Sequence, residues 1–280
     1  MKPPVVVGVD GTSSHEAVLW AGQAARARGC PVLLVHSVWT GVAGYEPAFA
    51  DAIETQAKDL LRTHAVSLEE ASPGLVVETE VAHETPARAL TNRSDDATLV
   101  VVGTHHPSTV ERVLTGSLTY QVVAGSHCPV AVVPTDPVRR SGGVVVGADG
   151  SQESLAAVAF AAWEAARLDT VLHVVHAWQE PAVLLPVGLL AGGVGEQVQE
   201  DERLVLAESV AGLAEDHPDL VVRQELVQER PVNALLRRAQ DAQLCVVGSR
   251  GRNGVQRMLL GSVSHSVVLH APCPVVVVRA

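Results

Sequence analysis

The chain carries the same sequence pattern twice, and this internal repeat limits its fold more than any other feature. The segment VVVGVD at residues 5–10 returns as VVVGAD at residues 144–149. Further along, Cys128-Pro129-Val130 returns as Cys273-Pro274-Val275. The copies are 139 positions apart at the first match and 145 at the second, whereas solenoid repeats have periods of roughly 20–50 residues. The repeat therefore indicates a duplicated domain. The predicted domains are residues 1–135 and 144–280, with a linker at 136–143.

The composition favours buried parallel strands in each copy. Apolar residues make up 47% of the chain but aromatic residues only 3%, so the cores depend on Val, Leu and Ala. Short Val-rich runs alternate with longer helical segments, which is typical of βαβ units with right-handed crossovers. The predicted fold class is α/β, with two tandem doubly wound domains. Each domain is expected to hold a five-stranded, mainly parallel sheet with helices on both faces.

The same order of elements is predicted in both copies. In the first copy we expect strands at 5–9, 32–38, 75–81, 99–103 and 130–133, and helices at 14–28, 46–71, 86–93 and 117–124. In the second we expect strands at 144–148, 171–178, 220–227, 244–248 and 275–278, and helices at 154–167, 195–216, 231–240 and 262–269. Ligands of such sheets bind beyond the carboxyl ends of the strands, where the strand order reverses.

Charge and cysteine usage argue against several classes of protein. With 20 basic against 31 acidic residues, the net charge is −11, which disfavours nucleic-acid binding because phosphate backbones require clustered Lys and Arg. No segment reads as a membrane span or a signal peptide, so a soluble, cytoplasmic protein is expected. The four cysteines form no CxxC pattern and are predicted to be buried free thiols. His36 and His176, each at a strand end, are interpreted as structural residues, and no metal site is expected.

The second copy carries a glycine pattern suited to an anion. Gly248 ends a strand, where the missing Cβ would let a ligand approach, and Gly251 is expected to take a positive φ that turns the loop. Gly261 and Ser262 then open a helix, whose unpaired N–H groups attract negative charge. The alternatives are loop punctuation for the glycines and an ordinary N-cap for Ser262.

An aspartate follows the first strand of each copy at the same edge of the sheet. Asp10 and Asp149 are suited to accept hydrogen bonds from ribose hydroxyls or an adenine edge. The alternative is that each begins an Asp-Gly turn before the next helix.

Together these motifs resemble the universal stress protein family in its tandem-domain form. The resemblance rests on Gly-x2-Gly-x9-Gly-Ser, on the first-strand VGxDGS pattern, and on the terminal HAPCPVVVV at residues 270–278. It covers essentially the whole chain and implies ATP binding, with or without Mg²⁺, by a regulator of a stress or dormancy response rather than a fast enzyme.

The resemblance also implies which positions contact the nucleotide. In the second copy these are Gly147, Asp149, Ala177, Val247, Gly248, Arg250, Gly251, Gly261, Ser262 and Val263. In the first copy they are Gly8, Asp10, Ser37, Val102, Gly103, His105, His106, Gly116, Ser117 and Leu118.

The first copy departs from the pattern at His106, where the second glycine is expected. A Cβ there lies in the path of the phosphates, and Pro107 pushes the preceding residue toward extended geometry. We therefore expect a weakened first site, unless His105 or His106 itself donates a hydrogen bond to phosphate.

Two other function classes remain open on the sequence. One is a nucleotide-independent protein-interaction module with a relic glycine loop. The other is an adenylating or ATP-cleaving enzyme, which is disfavoured because no P-loop, GxSxG or HExxH motif is present, although slow hydrolysis is compatible with the sequence.

The final strands, 130–133 and 275–278, lack guarding charges and are predicted to pair the two halves as an intrachain pseudo-dimer. A further homodimer is left open.

Overall fold

The chain divides into two compact units, Met1–Val138 and Arg139–Ala280. The computed structural model describes residues 2–39, 47–104, 112–135, 141–179, 194–252 and 260–280, with only the backbone at positions 12, 13, 47–49, 112–117 and 194. Residues 136–140 of the predicted linker lie outside the described residues, so the predicted domain limits stay a prediction.

The first unit alternates strands and helices along the chain. Its elements are β1 (Val5–Gly8), α1 (His15–Arg28), β2 (Val32–Ser37), α2 (Pro47–Ala71), β3 (Val77–Ala82), α3 (Pro86–Arg93), β4 (Leu99–Thr104), α4 (Arg112–Gly125) and β5 (Val130–Pro134). The strand order is β3-β2-β1-β4-β5, and these neighbours pair in parallel.

The second unit repeats this arrangement. Its elements are β6 (Val144–Gly147), α5 (Gln152–Arg167), β7 (Leu172–Trp178), α6 (Val194–Ser209), α7 (Leu213–Asp216), β8 (Val222–Gln228), α8 (Pro231–Ala239), β9 (Leu244–Gly248), α9 (Ser262–His270) and β10 (Val275–Val278). The strand order is β8-β7-β6-β9-β10, again with parallel neighbours.

This strand order winds each sheet in two directions. The chain runs outward from β1 to β3 and then returns to β4 on the other side of β1, so right-handed crossovers put successive helix pairs on opposite faces. Accordingly α1 packs beside α2 and α3 beside α4, while α5 packs beside α6 and α8 beside α9. The predicted doubly wound α/β fold is confirmed.

The Val-rich runs form the strands because both faces of each sheet are covered. Val5, Val6 and Val7 are fully buried, and every residue of β10 is buried. By contrast, β3 and β8 lie at the margins of their sheets, and their residues are mostly half-buried or exposed. Removing the apolar surface of the inner strands from water supplies the main favourable term in folding.

Two predicted helices have different limits in the structure. The helix predicted at 195–216 is interrupted, because Gly212 takes a left-handed φ of 84° between α6 and α7. The helix predicted at 117–124 starts earlier, at Arg112, since the residues before Gly116 include good helix formers and no proline. Gly116 and Ser117 therefore lie within the second turn of α4, where backbone N–H groups already have acceptors inside the helix.

Candidate functional site

The strand order of the second unit reverses between β6 and β9, and a cavity of about 390 Å³ lies at the carboxyl ends of these strands. Its size falls within the range of small-molecule sites. All ten residues predicted for the second copy line this cavity: Gly147, Asp149, Ala177, Val247, Gly248, Arg250, Gly251, Gly261, Ser262 and Val263.

Asp149 ties the end of β6 to the glycine loop that follows β9. Its Oδ1 accepts hydrogen bonds from the backbone N–H of Ser151 at 3.0 Å and from the Ser151 hydroxyl at 2.6 Å. Its Oδ2 accepts the backbone N–H of Arg252 at 3.0 Å. Gly150 takes a φ of 78°, so the Asp-Gly turn considered from the sequence is present, and the same carboxylate also lines the cavity.

These hydrogen bonds keep Asp149 ionised. Burial alone would raise the pKa of this carboxyl, but the bonds from the Ser151 hydroxyl and from the N–H groups of Ser151 and Arg252 outweigh it and lower the pKa below the ordinary value. A hydrogen bond from the Ser154 side chain also contributes to the lowered pKa.

Two glycines of the motif are required for reasons other than those expected. Gly251 does not take a positive φ; instead, a Cβ at this position would collide with Oδ2 of Asp149. At Gly248, a Cβ would lie 2.8 Å from the carbonyl carbon of Glu153, so the missing side chain admits helix α5 rather than a ligand. The predicted positive φ at Gly251 was therefore wrong, while the approach of a ligand to Gly248, which lines the cavity, stays a prediction.

Helix α9 begins at the cavity with open N–H groups. Gly261 is its N-cap, with extended backbone and no side-chain cap, so the alternative in which Ser262 is the N-cap is wrong. The N–H of Gly261 donates to the carbonyl of Ser249 at 2.8 Å, and the hydroxyl of Ser264 donates to that carbonyl at 3.1 Å. The turn is therefore anchored while the first amides of α9 face the cavity.

The backbone of Ala177 also faces the cavity. In β7, Val175 turns its carbonyl toward β6, where it accepts the N–H of Ala148 at 3.0 Å. Backbone groups two residues apart along a strand point to the same side, so the N–H and carbonyl of Ala177 also point toward the β6 side of β7. Because β6 ends at Gly147, these two groups extend past its last residue into the cavity.

Two arginines of the glycine loop are held by glutamates. Arg250 pairs with Glu153 at 3.0 Å, and Arg252 pairs with Glu202 at 2.7 Å. Oε2 of Glu202 also lies 2.6 Å from Nε2 of His176. Burial raises the pKa of Glu202, but the bonds from Arg252 and His176 outweigh burial and lower it below its usual value.

Both ring nitrogens of His176 have close partners. Its Nδ1 lies 2.6 Å from the carbonyl oxygen of Ala148, and its Nε2 faces the carboxylate of Glu202. His176 thus has the structural role expected from the sequence and links β7 to α6.

Several lining residues were not predicted as site residues from the sequence, although His176 was predicted to have a structural role. They are Ala148, Ser154, Val175, His176, Pro231, Leu235, Arg252 and Ser264. Arg252 could have been included, since it directly follows the second glycine of the motif. Leu235 has no sequence signal, because its side chain reaches the cavity from the apolar face of α8.

The predicted residues of the first unit are only partly described. His105 and His106 lie outside the described residues, and only the backbone of Gly116 and Ser117 is described. Asp10 accepts a hydrogen bond from Ser14 at 2.6 Å, and the Ser37 hydroxyl donates to the carbonyl of Glu84. The other predicted positions lie on β1, β4 and α4: Gly8, Val102, Gly103 and Leu118.

The predictions about cysteines, membrane spans and metal sites can be compared with the described residues. All four cysteines are free and buried, which confirms the prediction for the thiols. Across the described ranges, no helix is both long and apolar enough to cross a membrane. Within the same residues, no group of three or more His, Cys, Asp or Glu side chains is placed to hold a metal ion.

Comparison with known proteins identifies the family. The profile of the universal stress protein family matches residues 1–134 and 142–279. A universal stress protein of Mycobacterium tuberculosis is 37% identical over 289 residues, covering 98% of this chain and 96% of that protein. One from Mycolicibacterium smegmatis is 35% identical with the same coverage. The crystal structure of a universal stress protein from Archaeoglobus fulgidus has a TM-score of 0.71 at 21% identity, covering 99% of this chain and 97% of that one. The chain belongs to the universal stress protein family and carries two copies of its domain.

Proposed function

We propose that the second unit binds an adenine nucleotide, ATP, and that the chain is a nucleotide-responsive regulator of a stress or dormancy response rather than a fast enzyme. One observation carries this proposal. The uncapped N-terminus of α9 opens into the same cavity as the carboxylate of Asp149 and the backbone of Ala177.

The phosphates are assigned to the α9 end of the cavity. The first amides of a helix lack intrahelical acceptors and carry the positive end of the helix dipole. Gly261 contributes no side-chain cap that would compete for these amides. An anion bound there would receive hydrogen bonds from Ser262 and Val263.

The nucleoside is assigned to the opposite end of the cavity. A backbone N–H and carbonyl side by side, as at Ala177, can pair with the acceptor N1 and the donor amino group of adenine. The ionised carboxylate of Asp149 lines the cavity and suits a ribose hydroxyl, because a carboxylate accepts hydrogen bonds. Val175 and Leu235 supply apolar surface at the cavity wall.

The environment of the carboxylates favours binding over turnover. A general base must be free to take a proton from a reacting group. Asp149 is held by Ser151 and Arg252, Glu202 by Arg252 and His176, and Glu153 by Arg250. These three acidic groups, of which Asp149 lines the cavity, therefore act as anchors of the glycine loop.

The first test is the nucleotide content of the purified, denatured protein, followed by calorimetric titration of the full chain with ATP, with and without Mg²⁺. Gly261→Glu puts a carboxylate where the phosphates are assigned, and we expect it to abolish binding. Leu269→Glu adds the same charge to an exposed position of α9 and should bind like the wild type. Failure of the wild type to bind ATP would overturn the proposal and favour the nucleotide-independent interaction module.

The number of ATP molecules bound per chain tests whether the first unit also binds a nucleotide. We expect about one ATP per chain, because α4 begins before Gly116 and Ser117 and His106 replaces the second glycine. A stoichiometry of two would mean that the first unit binds despite both differences. His106→Gly tests the steric argument, since an unchanged stoichiometry would count against it.

The pairing of the two halves through their final strands stays a prediction from the sequence. Removing the residues after Cys273 deletes β10. If the halves are paired, the truncation should lower the thermal stability of both units. Loss confined to the second unit would contradict the predicted pseudo-dimer.

A further inference from the structure

A chain of hydrogen bonds crosses the nucleoside end of the cavity. It begins at the backbone N–H of Arg252, which donates to Asp149, and continues through the Arg252 guanidinium to Glu202 at 2.7 Å. Glu202 in turn contacts His176 at 2.6 Å. The chain thereby connects three elements that are distant in sequence: the glycine loop, α6 and β7.

The position of the guanidinium follows from these partners. Glu202 binds both Arg252 and His176 through the same oxygen, Oε2. His176 directly precedes Ala177 in β7, so the Arg252 side chain extends toward the Ala177 end of the cavity and away from α9. The Arg252 side chain is 42% exposed and that of Glu202 21%, whereas His176 is 1% exposed. The arginine therefore lies at the mouth of the cavity and the histidine at its base.

The glutamate fixes a side chain that would otherwise be mobile. An exposed arginine on a loop loses rotamer entropy when it is ordered. Hydrogen bonds between charged groups are roughly twice as strong as neutral ones. Because Glu202 is itself held by His176, the guanidinium is ordered in advance of any ligand, which reduces the entropy cost of binding.

The two copies differ at both ends of this ion pair. The strands β3 and β8 align at an offset of 145 positions, as do the glycines at 103 and 248. At that offset Glu202 corresponds to Ala57 and Arg252 to Pro107. The strands β2 and β7 align at an offset of 140 positions, at which His176 corresponds to His36. Nδ1 of His36 contacts the carbonyl of Val9 at 2.7 Å. The histidine is thus present in both copies, while the glutamate and arginine occur together in the second alone.

We propose that Arg252 and Glu202 form a clamp over the base and ribose of the bound nucleotide, in which Glu202 is the positioning residue and Arg252 the contact. A guanidinium suits this place because it stacks on aromatic faces and donates to ribose oxygens. The clamp rests on the proposed nucleotide binding and adds that the share of the affinity contributed by Arg252 comes from the nucleoside and does not change with the number of phosphates.

The test is a calorimetric titration of the full chain with adenosine, AMP, ADP and ATP. Arg252→Ala and Glu202→Ala should weaken all four ligands by a similar factor of about ten or more, and Glu202→Gln should weaken them less. The double variant should bind about as weakly as Arg252→Ala, since the glutamate acts through the arginine. Arg252→Lys should restore only part of the affinity, because an ammonium lacks the planar fork.

A matched control lies on the same helix. Glu200 forms an exposed pair with Arg203 at 2.6 Å, so Glu200→Gln removes a glutamate–arginine pair of α6 outside the cavity and should bind like the wild type. A loss that grows with the number of phosphates would make Arg252 a phosphate ligand and overturn the clamp. Wild-type affinity in Glu202→Ala would overturn it as well. If wild-type protein binds none of the four, the proposed function fails and the clamp fails with it.

Discussion

Gly251 lies so close to Asp149 that any side chain on the glycine would collide with the aspartate carboxylate. The same carboxylate accepts the N–H of Arg252, the next residue of the loop. The close approach and the hydrogen bond together fix the glycine loop against the end of β6. The second glycine of the motif therefore serves the fit between two loops of the protein.

We predict that Gly251→Ala destabilises the second unit by about 1–3 kcal/mol, the usual cost of forcing a group into a packed site. The loop must move away from Asp149, which also weakens nucleotide binding. Urea unfolding gives the stability change and ATP titration gives the affinity change.

The control for this prediction removes the collision partner. In an Asp149→Ala background the methyl group added at position 251 has room, so Gly251→Ala should cost less there than in the wild type. An equal cost in both backgrounds would show that the contact with Asp149 does not explain the glycine.

A second prediction compares two glycines that lie at strand ends. A Cβ at Gly248 meets backbone atoms of Glu153 at 2.8 and 2.9 Å, whereas a Cβ at Gly147 meets the side chain of Leu235 at 3.2 Å. A leucine side chain can shift, but the first turn of α5 cannot move cheaply. Gly248→Ala should therefore lower the melting temperature more than Gly147→Ala. Each kcal/mol corresponds to roughly 2–4 °C for a domain of this size class, and similar melting temperatures would contradict the packing argument.

A third prediction concerns the thiols. Cys245 is fully buried, and burial, followed by the nearby Cys273, raises its pKa well above the ordinary value. Burial also raises the pKa of Cys30. The thiolate is the reactive form, so at pH 8 the native protein should react slowly with a thiol reagent, and four thiols should appear at once in urea. Rapid reaction of the native protein would contradict the burial of these side chains.

The position of the pocket could be predicted from the sequence, whereas the reasons for its glycines could not. The repeated glycine spacing marks the end of β9 and the start of α9, and the Val-Gly-x-Asp pattern marks the end of β6. Together with the family resemblance, which added Ala177, these local signals named ten residues that line one cavity. The neighbours of Gly248 and Gly251 come from α5 and from the end of β6, and no local pattern identifies a contact between segments so far apart in the chain.

Glu202 illustrates the same limit at the clamp. It lies in the run Glu200-Asp201-Glu202-Arg203, where composition and helical spacing do not separate it from its acidic neighbours. Only the packing of α6 against β7 brings it to His176. The start of α4 at Arg112 was also missed, because the repeat led us to expect a helix start at Ser117, as at Ser262.

The fourth prediction is a pH dependence that arises at Asp149. Its pKa in the folded protein is below the ordinary value because hydrogen bonds from Ser151 and Arg252 outweigh the effect of burial. A carboxyl with a lowered pKa stabilises the fold fully above its unfolded pKa, about 3.9, and this contribution is lost as the pH falls through the folded pKa. Asp149→Asn should therefore reduce the free energy of unfolding at pH 7, and the difference from wild type should shrink below about pH 4.

Urea unfolding of both proteins at pH 7, 5 and 3.5 measures this difference, with Asp219→Asn as the control. Asp219 is exposed on the turn before β8, so its replacement should leave the free energy of unfolding nearly unchanged at each pH. The asparagine at position 149 keeps one acceptor but turns an NH₂ group toward N–H donors. Its cost at pH 7 should therefore be about 1–3 kcal/mol, the penalty of an unsatisfied buried polar group. A difference between wild type and Asp149→Asn that stays constant from pH 7 to 3.5 would mean that the charge of Asp149 does not hold the glycine loop in place.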